Sequence, residues 1–209
     1  MPMRPRGPRS PHPQSPDEAL ALLLDGNRRH RAGDQALRDH SPVEATDAQM
    51  PFAAVITCAD SRVSPTLIFD LDRGNLFEAR VAGNGIDTGV LGTTEFAVAK
   101  LGVKVVMVLG HSDCRAVHAA IGLAAGEESF PPAELGAIGE VLEQIVPAIE
   151  AVPEAERDPE HCIAANARHQ AARIASADPV IRPAVASGSV RVVAAVYEIG
   201  SGEVSLLQG

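Results

Sequence analysis

The segment "VLGHSDCRAV" (residues 108–117) places an imidazole, His111, and a thiol, Cys114, three residues apart, just after a run of branched apolar residues that breaks at Gly110. A second apolar run, "AAVIT", leads into "CADSR", which supplies Cys58, Asp60 and Arg62. Two thiolates and one imidazole are a donor set that catalytic zinc sites use, with the fourth tetrahedral position open for water or substrate. A structural zinc site would instead be closed by four protein ligands. Each residue also has a plainer role, since a buried cysteine packs as a small apolar group and a strand-end histidine is satisfied by a backbone carbonyl. Asp60 is spaced either to reach the open metal position or to accept a hydrogen bond from metal-bound water. The planar fork of Arg62 would hold it off the metal and ionised. The simpler alternative is a surface ion pair capping the next helix, which contributes little.

These groups meet only if the two apolar runs are neighbouring strands. Short apolar runs at 52–57, 75–82, 103–110 and 190–200 read as strands, the first as a buried one. Helical patterns lie between them at 64–70, 89–102, 114–125, 134–150 and 160–176. That alternation predicts an α/β layer with a largely parallel central sheet flanked by helices. Gly-Ser-Gly at 200–202 predicts a hairpin, with the last strand returning antiparallel at the edge. In such sheets ligands bind beyond the carboxyl ends of the strands, where both reactive segments fall. Upstream, residues 1–16 are rich in Pro, Arg and Ser and read as a disordered tail. A helix starts at Asp17 and stops before Gly33, and residues 34–50 form a polar connecting arm. The chain is expected to be one domain over 17–209.

Composition narrows the function. With 209 residues, 45% of them hydrophobic, the chain can bury a full core without staples. Trp is absent and Tyr occurs once, which disfavours stacking platforms for single-stranded nucleic acid. A formal net charge of −9 repels polyanions. These features predict a small-molecule substrate, with no nucleic-acid partner. No apolar run is long enough to span a bilayer, and the N-terminus lacks the apolar stretch of a signal peptide, so a cytoplasmic protein with no membrane partner is expected. Three cysteines, an odd number, speak against a disulfide framework.

Taken in order, "CADSRV", "RVAGN" and "GHSDC" resemble the β-class carbonic anhydrases, and "LLLDGNRRHRAG", "LIFD", "GTTEFAVAKLGVK" and "AVYEIGSGEV" extend the resemblance over most of the chain beyond residue 16. The resemblance implies Zn2+ on Cys58, His111 and Cys114, with Asp60 and Arg62 as a catalytic dyad. It also implies a Rossmann-like fold with an N-terminal helical arm packed on a partner subunit, in a homodimer or homotetramer. The implied reaction is reversible hydration of carbon dioxide to bicarbonate and a proton, by attack of zinc-bound hydroxide. Zinc lowers the pKa of water from about 15.7 to near 7 in a site of three histidines. Two thiolates should acidify it less, and an ionised Asp60 compensates by accepting the proton of the hydroxide.

Departures from the family pattern bear on rate and substrate. Arg115 follows the second cysteine where Gly is usual, the segment at Leu71 and Asp72 lacks a Gln that many relatives carry, and Val81 stands where Asn is usual. They keep open a carbonyl sulfide or carbon disulfide hydrolase, or a non-catalytic zinc-binding homologue. Val55 replaces the Trp of members with an allosteric bicarbonate site, so no such site is assigned to Tyr197 and Arg80. His118 is placed as a possible proton shuttle, although a solvated helix position is the better reading of it. His161, Cys162 and His169 read as ordinary surface and core residues, and "GNGIDTG" as a turn rather than a phosphate loop.

Overall fold

The computed structural model describes residues 12–36 and 49–208; most of the expected tail (1–11), much of the connecting arm (37–48) and Gly209 lie outside the described residues. The first helix, α1 (Pro16–Ala32), is set by its ends. The Ser15 side chain accepts from the Glu18 amide, Pro16 opens the first turn, and acidic residues there face basic ones in the last turn. Gly33, at φ 68°, closes it in the left-handed region.

The sheet has five strands: β1 (Ala53–Thr57), β2 (Leu76–Arg80), β3 (Val105–His111), β4 (Arg191–Glu198) and β5 (Glu203–Leu206). Their spatial order is β2-β1-β3-β4-β5, parallel except for the β4–β5 hairpin, as the sequence predicts. β1 and β3 are buried at every position. They lie between other strands and are covered on both faces, which is why they read as continuous apolar runs.

Alternate residues supply two cores. Val55, Met107 and Leu109 face α1 and the short helix α2 (Pro65–Ile68), meeting Leu20, Leu23 and Ile68. Ala54, Ile56, Val106 and Val108 belong to the opposite core. There they join Val90 of α3 (Thr88–Phe96) and Ala167 and Ile174 of the later helix α8 described below. Each fully buried Leu or Ile stabilises the fold by roughly 1.5–3 kcal/mol. The α1 helix approaches so closely that a Cβ on Gly26 would lie 1.8 Å from the Phe69 carbonyl oxygen. The apolar face expected to dock on a partner is therefore packed against its own sheet. Asn27 adds hydrogen bonds to the carbonyls of Ile68 and Gly202 and accepts from the Val204 amide.

After β3 come α4 (Arg115–Ala124), α5 (Pro132–Leu135), α6 (Ile138–Glu143), α7 (Val146–Glu150), α8 (Pro159–Ala175) and α9 (Ile181–Ala186). The single pattern expected over 134–150 is three short helices. Gly136 turns the chain at φ 61°, and Pro147 begins a new helix because it has no amide to continue the previous one. α3 gives way to a wider turn at 97–101 before Gly102, and α9 has no counterpart among the expected helices. A third apolar cluster, built from α4, α6, α7 and α8, lies under the ends of β1 and β3.

Candidate metal centre

Thr57 pairs with Leu109 across the parallel β1–β3 ladder, and its hydroxyl donates to the Leu109 carbonyl at 2.8 Å. The chain therefore leaves β1 at Cys58 beside the end of β3 at His111. From β1 the next strand lies on one side, whereas β3 returns on the other, so this is the reversal point of the sheet where a crevice opens. Asp113, at φ 56°, turns the chain after β3 and sets Cys114 at the N-terminus of α4.

Cys58, His111 and Cys114 are all buried, and their ligand atoms lie within 4.8 Å of one another. The two sulfurs are 3.9 Å apart. His111 Nδ1 donates to the Ser112 carbonyl at 2.9 Å, which leaves the Nε2 lone pair free. Among the described residues that buried Nε2 has no hydrogen-bond partner. An orphaned imidazole nitrogen beside two sulfurs fits a soft divalent cation, so these residues could hold a metal ion. The electrostatics of the three groups differ. The Cys58 thiol is pushed down chiefly because the Cys114 S–H donates to it, with further help from His111 and from the Gly83 amide, against the cost of burial. Cys114 is pushed up by donating to Cys58 and by burial. For His111, burial opposes the charged ring, but the Cys58 sulfur and the Ser112 carbonyl outweigh it and raise its pKa.

Beside this triad, Arg62 grips Asp60 with both arms of its fork, Nε to Oδ1 at 3.0 Å and Nη2 to Oδ2 at 2.8 Å. The Arg62 amide also donates to Oδ1 at 2.8 Å. This grip, Arg62 above all, holds the Asp60 carboxyl well below the usual carboxylate range. Two residues to which the sequence reading gave no role at this site complete the arrangement. Arg80 donates to the Asp60 carbonyl at 2.7 Å, and Asp113 accepts from Arg62 at 3.2 Å. Both lie inside quoted motifs, Arg80 opening "RVAGN" and Asp113 within "GHSDC", but their spacing does not tie them to Asp60 or Arg62.

The other residues singled out in the sequence fall elsewhere. Leu71 is buried in the core under α1, Val81 is half-buried against the opposite core, and Arg115 is exposed on the first turn of α4. His118 is exposed, 4.0 Å from Asp113. Cys162 is buried and His161 pairs with Asp158 at 2.7 Å. Among the described residues, the only group of His, Cys, Asp or Glu close enough to share a metal is Cys58, His111 and Cys114.

Fold and site together define an α/β protein with a metal-capable Cys-His-Cys centre at the reversal point of a mostly parallel sheet. The sequence profile of the family described as carbonic anhydrase matches residues 53–204. The chain is 34% identical over 204 residues to a carbonic anhydrase of Mycolicibacterium smegmatis, covering 92% of this chain and 93% of the relative. Among solved structures, the β-carbonic anhydrase CcaA matches with a TM-score of 0.68 at 25% identity, over 91% of this chain and 95% of that one. A structure described among two tetrameric β-carbonic anhydrases of Sordaria macrospora matches the fold with a TM-score of 0.67 at 23% identity, over 91% and 94% of the two chains. The chain belongs to the carbonic anhydrase family, in its β class. A site able to hold a metal ion fits the reaction of that family, zinc-dependent hydration of carbon dioxide. Among the described residues no helix is long and apolar enough to cross a membrane.

Proposed function

We propose that Cys58, His111 and Cys114 hold Zn2+ and that Asp60 and Arg62 are the catalytic dyad for interconverting carbon dioxide and water with bicarbonate and a proton. The observation that carries the reading is the buried, partnerless His111 Nε2 beside two sulfurs. When bound, zinc supplies Lewis acidity, bringing the pKa of water toward the neutral range so that a nucleophile is present at working pH. Arg62 keeps Asp60 ionised and oriented, so that its carboxylate can accept a hydrogen bond from the attacking water and aim it at carbon dioxide. Arg80 fixes the Asp60 backbone, which keeps the acceptor from drifting into the donor set. The neighbouring Asp113 and His118 offer an exposed path for the released proton.

The catalytic unit is the domain from residue 17 to 209, with the preceding residues a tail. Two or four chains assemble through the open β2 edge, where Phe77 and the half-exposed Phe96 stack at 6.2 Å. Buried, unbridged thiols suit a reducing setting, which supports a cytoplasmic enzyme.

Stopped-flow carbon dioxide hydration with metal content measured on the same sample tests the reading. About one zinc per chain and a rate that rises with pH are expected. Stoichiometric zinc without hydration at any pH would overturn the catalytic reading, and absence of zinc would overturn the metal reading.

A further inference from the structure

Helix α8 carries two fully buried amides, Asn166 and Gln170, on a face otherwise built from Cys162, Ile163, Ala167, Ala171 and Ile174. Burying an amide is costly unless its groups are paired, and apolar residues would fill this face more cheaply. The amides form a directed chain. Arg173 donates to Gln170 Oε1 at 3.0 Å. Gln170 Nε2 donates to Asn166 Oδ1 at 3.1 Å and to the Gln144 carbonyl at 2.6 Å. Asn166 Nδ2 then donates to the Gly83 carbonyl at 2.8 Å.

Gly83 is where this chain meets the metal centre. Its amide donates to Cys58 Sγ at 3.3 Å. Its φ of 67° lies in the left-handed region, and a Cβ there would stand 2.3 Å from Ile145 Cδ1. The residue is thus held from below by Ile145, at its carbonyl by Asn166, and at its amide by Cys58. An N–H donor draws charge from a thiolate, and two thiolates would otherwise neutralise most of the charge that makes a divalent ion a Lewis acid. Cys58 sits on no helix, and Gly83 supplies its donor.

We propose that Asn166 is a positioning residue for the metal centre, holding the Gly83 amide on Cys58 Sγ and so limiting the charge that this sulfur donates to the metal. The inference rests on the triad holding a metal ion. Gln170 provides the internal control, because it belongs to the same buried network but donates to Asn166 and the Gln144 carbonyl, whereas Asn166 is the one that donates to Gly83.

The parent protein, Asn166→Ala and Gln170→Ala are loaded with cobalt(II) to record the thiolate-to-metal charge-transfer band. They are then loaded with zinc to measure its loss to a chromophoric chelator, and melting temperatures are taken on the same samples. Asn166→Ala is expected to shift the band and to release zinc about tenfold faster or more, while Gln170→Ala melts lower but keeps the parent's band and stays within about twofold of its release rate. An unshifted band and unchanged release in Asn166→Ala would overturn the proposal. Equal changes in both variants would also overturn it, by showing a general loosening of α8. If Asn166→Ala does not fold, Asn166→Ser, which keeps a polar group at the position, is judged by the same two outcomes. A parent that takes up neither cobalt nor zinc would overturn the metal reading itself, a result distinct from a metal-loaded parent whose Asn166 variant behaves normally.

Discussion

The Cys58–His111–Cys114 triad and the Asp60–Arg62 pair lie side by side at the same sheet edge, yet they are built on opposite terms. The triad is buried, and its His111 Nε2 has no hydrogen-bond partner. The Asp60 carboxylate meets Arg62 through both oxygens, and Arg62 keeps 44% of its side-chain surface exposed. On the function proposed above, a cation would complete the first group, whereas the second is complete within the chain. The proposed metal-binding and proton-handling roles should therefore separate under mutation.

The largest effect is expected from His111→Ala. Metal content should fall from about one per chain to near none, and carbon dioxide hydration should drop to the solution background. Asp60→Asn should instead keep its metal and lose roughly 10²- to 10⁴-fold in turnover, the usual contribution of a positioned proton acceptor. A metal-free Asp60→Asn protein would erase the distinction between the two groups. Arg62→Lys keeps the charge but loses the fork, and should reduce turnover about tenfold, equivalent to roughly 1.4 kcal/mol, without changing metal content.

The smallest effect concerns acid stability. Because the folded Asp60 carboxyl titrates below its unfolded value of about 3.9, its stabilising contribution is complete above that pH and is lost as pH falls through the lower folded value. Thermal melts of Asp60→Asn should accordingly show a shallower loss of stability below about pH 4, with only a small change near neutrality because the pair is solvent-screened. An unchanged acid limb would remove the ion pair from the stability of the fold.

Much of this was legible from the order of residue types. Two apolar runs ending in reactive residues mark strands whose carboxyl ends would bring Cys58, His111 and Cys114 together if the strands were neighbours, a condition that the sheet order meets. The break-up of 134–150 was harder to see, since helical periodicity continues across Gly136 and Pro147, and only backbone geometry interrupts it. Asn166 and Gln170 were missed because amides on a helix normally read as solvent-facing. Their signal was positional: they share the stripe of Ile163, Ala167 and Ile174 at helical spacing, which is where a polar residue needs a reason. The fate of α1 was likewise not available from its apolar face alone, because an amphipathic helix fits a partner or its own sheet equally well.

The Asn27 clasp carries a consequence for how the protein is made. It joins α1 to the closing hairpin across 177 residues of sequence. During synthesis Asn27 is made 177 residues ahead of Val204, the residue it clasps. The nascent chain must therefore carry α1 without its full cover until the β4–β5 hairpin has formed. Long-range closure of this kind is slow and exposes sticky intermediates.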